Sequence, residues 1–113
     1  MKEVILCSHD PLLMKNLYGI LRDEGYLVEI ADHPALAVKM ALKRNYSMVV
    51  IDSEPFGLSV HDAIRIIKTV LPEVLVIFVG GYDKLETDAL TIEAPIDLAE
   101  FKRAVHDLHH CTV

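Results

Sequence analysis

Short runs rich in Val and Ile alternate with apolar stripes of helical period along the whole chain, and this alternation restricts the fold more than any other feature. The runs are "VILC" (4–7), "YLVEI" (26–30), "MVVI" (48–51) and "VLVIFV" (74–79), with "ALTI" (89–92) as a weaker fifth. Three of them are almost wholly apolar, as strands covered on both faces are. Between them, Leu13, Leu17, Ile20 and Leu21 form a helical stripe. Asp10 stands at its N-cap, Pro11 in its first turn and Gly25 at its end. Pro34 opens a second helix, with Leu36, Met40 and Ala41 expected on its inner face. Ser59 and Asp62 have capping-box spacing before Ile64, Ile67 and Leu71, and Pro72 stops that third helix. Asp97 and Glu100 open the last one, with Leu98, Phe101, Val105 and Leu108 as its stripe. Loops are short, and no repeat or linker interrupts the pattern. Strand and helix in alternation, joined by right-handed crossovers, predict an α/β doubly wound parallel sheet with helices on both faces. Residues 1–113 are read as one domain around one core.

Composition narrows the function classes. A net charge of -6 without any cluster of Lys and Arg excludes a nucleic-acid surface, which needs concentrated positive charge. No apolar run reaches the length of a membrane span, and the charged "MKE" start leads into a strand rather than a signal peptide. Two cysteines, Cys7 and Cys111, make no disulfide framework, so a reducing cytoplasm is the expected location.

In doubly wound sheets the functional crevice lies beyond the carboxyl ends of the strands. That rule nominates Ser8, His9 and Asp10, then Asp52 to Glu54, Gly80 and Gly81, and Glu93 to Pro95. Several chemistries are open to this set. Ser8, His9 and Asp52 have the residue types of a nucleophilic triad, but the side chains of sequence neighbours in extended chain point apart. His9, Asp52, Glu54 and Glu93 have the donor types of a transition-metal site, against a solvent-exposed histidine as the plainer reading. Cys7 reads as a small buried hydrophobe. His106, His109 and His110 follow i, i+3, i+4 spacing, which suits a metal or a polar helix end. Gly80-Gly81 reads as a turn. Phe56 and Leu58 are apolar residues in an expected loop, folded onto the core or part of a contact patch.

"VILCSHDPLL", "YSMVVIDSEPFG", "LPEVLVIFVGGYD" and "APIDLAEF", in this order and spacing, resemble the receiver domain of two-component response regulators over nearly the full chain. The resemblance implies a flavodoxin-like fold, with five parallel strands in the order 2-1-3-4-5. Asp52 matches the phosphoacceptor aspartate. The remaining functional positions depart from the pattern. Ser8 and His9 stand where a receiver carries two acidic residues for Mg²⁺. Gly80 replaces a hydroxyl residue, and Ala94 replaces the lysine before Pro95. The stretch between Gly81 and "LTIEAP" is short for a full fourth helix, so that helix is expected shortened or missing, and the Ala94–Pro95 bond is expected cis. Mg²⁺ takes oxygen ligands, usually carboxylates, so its binding is expected weak or absent, and no other cofactor is implied. Asp52 then becomes a vestigial phosphoacceptor in a crevice of Ser8, His9, Asp10, Glu54, Gly80, Ala94 and Pro95. The expected function is a phosphorylation-independent protein–protein interaction module in bacterial signalling, without enzymatic activity and not binding nucleic acid or membrane. Its expected partner surface comprises Ile92, Ile96, Lys102, Arg103 and Asp107, for a signalling protein or a second copy in a homodimer. The alternatives are a phosphorelay receiver using Asp52 with altered metal chemistry, and a small α/β ligand-binding protein or enzyme.

Overall fold

The structure, a computed structural model, describes residues 2–52, 60–79, 90–92 and 96–111, with side chains up to Leu108. The elements run β1 (Glu3–Cys7), α1 (Pro11–Asp23), β2 (Leu27–Ala31), α2 (Pro34–Lys43), β3 (Met48–Asp52), α3 (Val60–Val70), β4 (Leu75–Val79), β5 (Leu90–Ile92) and α4 (Leu98–Cys111). All five strands are parallel and lie in the order β2-β1-β3-β4-β5. This is the flavodoxin-like topology implied by the sequence.

The alternation of side chains along each strand divides the interior into two layers. On one face Ile5, Cys7, Val49, Ile51, Val76 and Phe78 pack against Ala37 and Ala41 of α2 and Ala63, Ile64 and Ile67 of α3. On the other, Val4, Leu6, Met48, Val50, Ile77 and Val79 meet Leu17 and Leu21 of α1 and Phe101 and Val105 of α4. The central strands are therefore apolar on both sides, which is why they read as unbroken runs.

Local chemistry sets the element ends. Asp10 Oδ1 accepts from the backbone N–H groups of Leu12 at 3.0 Å and Leu13 at 3.3 Å, and Pro11 loses no helical bond at the first position. Gly25 leaves α1 at φ 92°, a left-handed conformation that costs glycine little. His33 caps α2, its Nδ1 accepting from Ala35 N at 3.0 Å. Asp97 Oδ1 accepts from Ala99 N at 2.9 Å at the start of α4.

Three expectations are corrected. Leu36 does not face inward but is 40% exposed, because Ala37 and Ala41 occupy the α2 positions nearest the sheet. Leu98, expected in the α4 stripe, is 37% exposed in the first turn of that helix. Ile92 is 1% exposed on the sheet face covered by α1 and α4, so it belongs to the core and not to a partner surface. The segment expected to hold a shortened fourth helix, the Ser59 cap and the Ala94–Pro95 bond lie outside the described residues. No helix among the described residues is long and apolar enough to cross a membrane.

Candidate functional site

Strands β1 and β3 pair in parallel with Cys7 opposite Ile51, so the next residues, Ser8 and Asp52, arrive side by side at the carboxyl end of the sheet. Ser8 is 3% exposed and is held from several sides. Its Oγ donates to Asp52 Oδ2 at 3.0 Å and accepts from Asp10 N at 3.1 Å, while its own backbone N–H donates to Ala31 O at 3.2 Å. One serine thereby ties the ends of β1, β2 and β3 to the start of α1. The hydroxyl has one proton, and that proton goes to the carboxylate.

The surrounding groups have separate tasks. Asp10 lies at the mouth of the crevice, but its carboxylate caps α1. His9, beside the buried serine, is exposed. Cys7 is 3% exposed, and its thiol is pushed up to about 12 by burial, with the negative charges of Asp52 and then Asp32 adding to the effect. It stays protonated at neutral pH and is a poor nucleophile. Asp32 was not singled out in the sequence, although it directly follows β2 and the carboxyl-end rule reaches it. His61, in the first turn of α3, was also passed over; its ring meets the Phe78 ring edge-on at 5.8 Å and 89°.

The structure brings Ser8, Asp10 and Asp52 together but does not unite all the nominated residues. Glu54, Gly80, Ala94 and Pro95 lie outside the described residues, as do Phe56, Leu58, Gly81 and Glu93. Among the described residues, no group of three or more His, Cys, Asp or Glu side chains is arranged to hold a metal ion. Of the expected partner surface, Lys102, Arg103 and Asp107 are exposed on α4, and Ile96 is partly buried against the core beneath it. His106 Nδ1 lies 3.1 Å from Glu24 Oε2, bridging α4 to the end of α1.

At the opposite, amino end of the sheet, Arg44 forms ion pairs with Glu3 of β1 and Glu29 of β2. Tyr46 Oη donates to Glu29 Oε2 at 2.8 Å. Burial, followed by the hydrogen bond to Glu29 and its charge, pushes the Tyr46 phenol up to about 12. Beside this network a cleft of about 610 Å³ opens between Tyr26, Tyr46, Ser47 and the turn from Leu71 to Val74.

Replacing Ser8 with alanine leaves the Asp52 carboxylate without its serine donor and Asp10 N without its acceptor. The expected cost is about 1–3 kcal/mol, read as a lower urea midpoint at unchanged slope. A threonine that keeps the hydroxyl should recover part of that loss. Equal midpoints for wild type and Ser8→Ala would mean the bond contributes nothing.

No protein-family model and no curated protein matches the sequence. Solved structures do. A response regulator receiver protein from Sinorhizobium medicae WSM419 superposes with a TM-score of 0.84 at 21% identity, covering 96% of this chain and 94% of that one. The response regulator protein TrrA from Thermotoga maritima, solved in complex with Mg²⁺ and BeF, gives 0.81 at 23% identity over 96% and 99%. A structure described as a redox sensor of the streptococci, of a family evolved from two-component response regulators, gives 0.82 at 15% identity; it covers 98% of this chain and 52% of that one. The chain has the fold of the response-regulator receiver domain.

Proposed function

We propose that this chain is a receiver-like signalling module that works through protein–protein contact without being phosphorylated. The observation that carries the reading is the hydrogen bond from Ser8 Oγ to Asp52 Oδ2. In the receiver pattern the Ser8 position is acidic and helps to hold Mg²⁺. Here a neutral hydroxyl stands there, its proton on one oxygen of Asp52 and a lone pair on Asp10 N. The other nearby carboxylate, that of Asp10, is engaged with the amides of α1. Mg²⁺ requires near-octahedral oxygen ligation, and these residues do not fit it. Without the cation, the charge developing in phosphoryl transfer to Asp52 has no counterion from these residues. A ligand shifts a conformational equilibrium only through differential contacts, so the module engages its partner in one conformation. The streptococcal redox sensors support this view, since they are described as having evolved from response regulators into another sensing role.

The partner is a signalling protein in the cytoplasm, and the contact surface is α4, where Lys102, Arg103 and Asp107 are exposed above the partly buried Ile96. Incubation with acetyl phosphate and Mg²⁺ is expected to give no phosphoryl adduct in intact-mass spectrometry. Asp52→Asn should leave partner binding and cellular activity unchanged. The Lys102→Glu and Arg103→Glu pair should weaken binding by about 1–3 kcal/mol where either residue is a central contact. A stable adduct on Asp52, lost in Asp52→Asn together with activity, would establish the phosphorelay reading instead.

A further inference from the structure

Helix α1 carries a glycine that its own fold does not require. Gly19 lies mid-helix and exposed, while Leu13, Leu17 and Leu21 form the stripe that faces the core. Its φ is not left-handed, and a Cβ added there would meet nothing within 4 Å. An alanine would fit the same space and hold the helix better, because glycine loses more backbone freedom on folding. The reason for the glycine therefore lies outside the helix, where the missing side chain lets another backbone approach closely. The residues around it carry matching charge. At about 100° per residue, Lys15, Gly19 and Asp23 form one i, i+4, i+8 row along the exposed face, flanked by Asn16 and Arg22. Neither Lys15 nor Asp23 joins an ion pair among the described residues. Asp23 is the last residue of α1, where a carboxylate opposes the helix dipole.

We infer that α1 of a second copy of this chain packs antiparallel across Gly19, on a two-fold axis through that residue. Such an axis sets residues equally far before and after Gly19 opposite one another. Lys15 meets Asp23 of the partner subunit, and Asp23 meets the partner subunit's Lys15, each about 6 Å along the helix from the axis. Asn16 and Arg22 meet in the same way. Both charged contacts join opposite signs, and the two copies of Lys15 lie about 12 Å apart along the helix. Gly19 faces its own copy at the crossing, so the backbones approach closely where the i±4 ridges interdigitate. The contact is isologous and closes at two copies. One helix crossing buries less than the roughly 1,200–2,000 Å² of a stable complex, so the dimer is weak and reversible. The inference is independent of the α4 contact surface proposed above, and its experiment separates the two.

The test is sedimentation equilibrium of the intact chain at low salt, from micromolar to millimolar concentration. A monomer–dimer equilibrium is expected, weakening as added salt screens the Lys15–Asp23 pairs. Gly19→Gln fills the crossing, yet its side chain has open space in the monomer. The dissociation constant should rise at least tenfold while circular dichroism is unchanged. Lys15→Asp and Asp23→Lys each set like charges opposite one another, and each should raise the constant at least tenfold. Mixed one to one, these two variants should associate again, because each supplies the charge that the other lacks. Lys102→Glu on α4 should leave the dimer intact. As an independent measurement, Gly19→Cys in a Cys111→Ser background puts two thiols face to face at the axis. Mild treatment with oxidised glutathione should then give a disulfide-linked dimer on a non-reducing gel. A chain that stays monomeric at millimolar concentration overturns the inference. So does a dimer that Gly19→Gln leaves unmoved, or a mixture of the two charge variants that stays monomeric.

Discussion

Phe101→Ala is expected to destabilise the domain by about 3–5 kcal/mol, the usual range for emptying a buried aromatic site. The ring is fully buried where α4 closes the layer formed by Val4, Leu6, Met48, Val50, Ile77 and Val79. With total stabilities of about 5–15 kcal/mol typical of such domains, the loss removes a large share of what holds the fold. The thermal midpoint should fall by more than about 10 °C. Leu98→Ala is the control on the same helix: at 37% exposure it should stay within about 1 kcal/mol of wild type. Equal losses for the two would mean that α4 is held by its exposed face and not by the Phe101–Val105 stripe.

Alkaline pH is expected to weaken the fold as it rises from about 9 toward 12. Cys7 is raised from 9.0 to about 12, first by burial and then by Asp52 and Asp32. Tyr46 is raised from 10.0 to about 12 by burial and by Glu29. Both groups keep their protons in the folded chain at a pH where the unfolded chain has released them. Their contribution to stability is thus complete below about pH 9 and is lost as pH climbs toward about 12. Urea midpoints should be level from pH 7 to about 8.5 and fall steadily between pH 9 and 12. Replacing Tyr46 with phenylalanine should flatten the upper part of that decline. A midpoint that holds level to pH 11 would show that neither group is shielded as the geometry indicates.

The sheet was legible in the sequence because its determinants are local. Val- and Ile-rich runs, Asp10-Pro11, Gly25 and Pro34 each announce an element or its end from a few adjacent residues. Errors arose where neighbours in space decide the outcome. On α2 the larger Leu36 was preferred to Ala37, yet the helix approaches the sheet closely through its alanines and leaves the leucine outside. Ile92 was placed on the partner surface around the fifth strand and the last helix, although its side chain packs into the layer that α4 covers. The Ser8–Asp52 bond was within reach: once β1 and β3 are adjacent, the residues ending the two strands share a register position. The triad argument grouped Ser8 with Asp52 but weighed only the geometry of Ser8 and His9, its sequence neighbour, and so did not draw the direct bond across the sheet. The network at the amino end was not legible, since Glu3, Glu29, Arg44 and Tyr46 come from separate elements and none belongs to a motif.

The division of the interior into two layers sets an order of events during synthesis. Every buried member of the layer under α2 and α3 lies between Ile5 and Phe78, so that side can close as soon as β4 has emerged. The opposite layer waits for Ile92, Phe101 and Val105. At about 5–20 residues per second, translating from Phe78 to Val105 takes roughly 1–5 s. For that interval Leu6, Val50 and Val79 are incompletely covered on a nascent chain whose first strand is already paired. α4 therefore completes this layer, and a chain cut before Leu98 would leave one face of the sheet half naked.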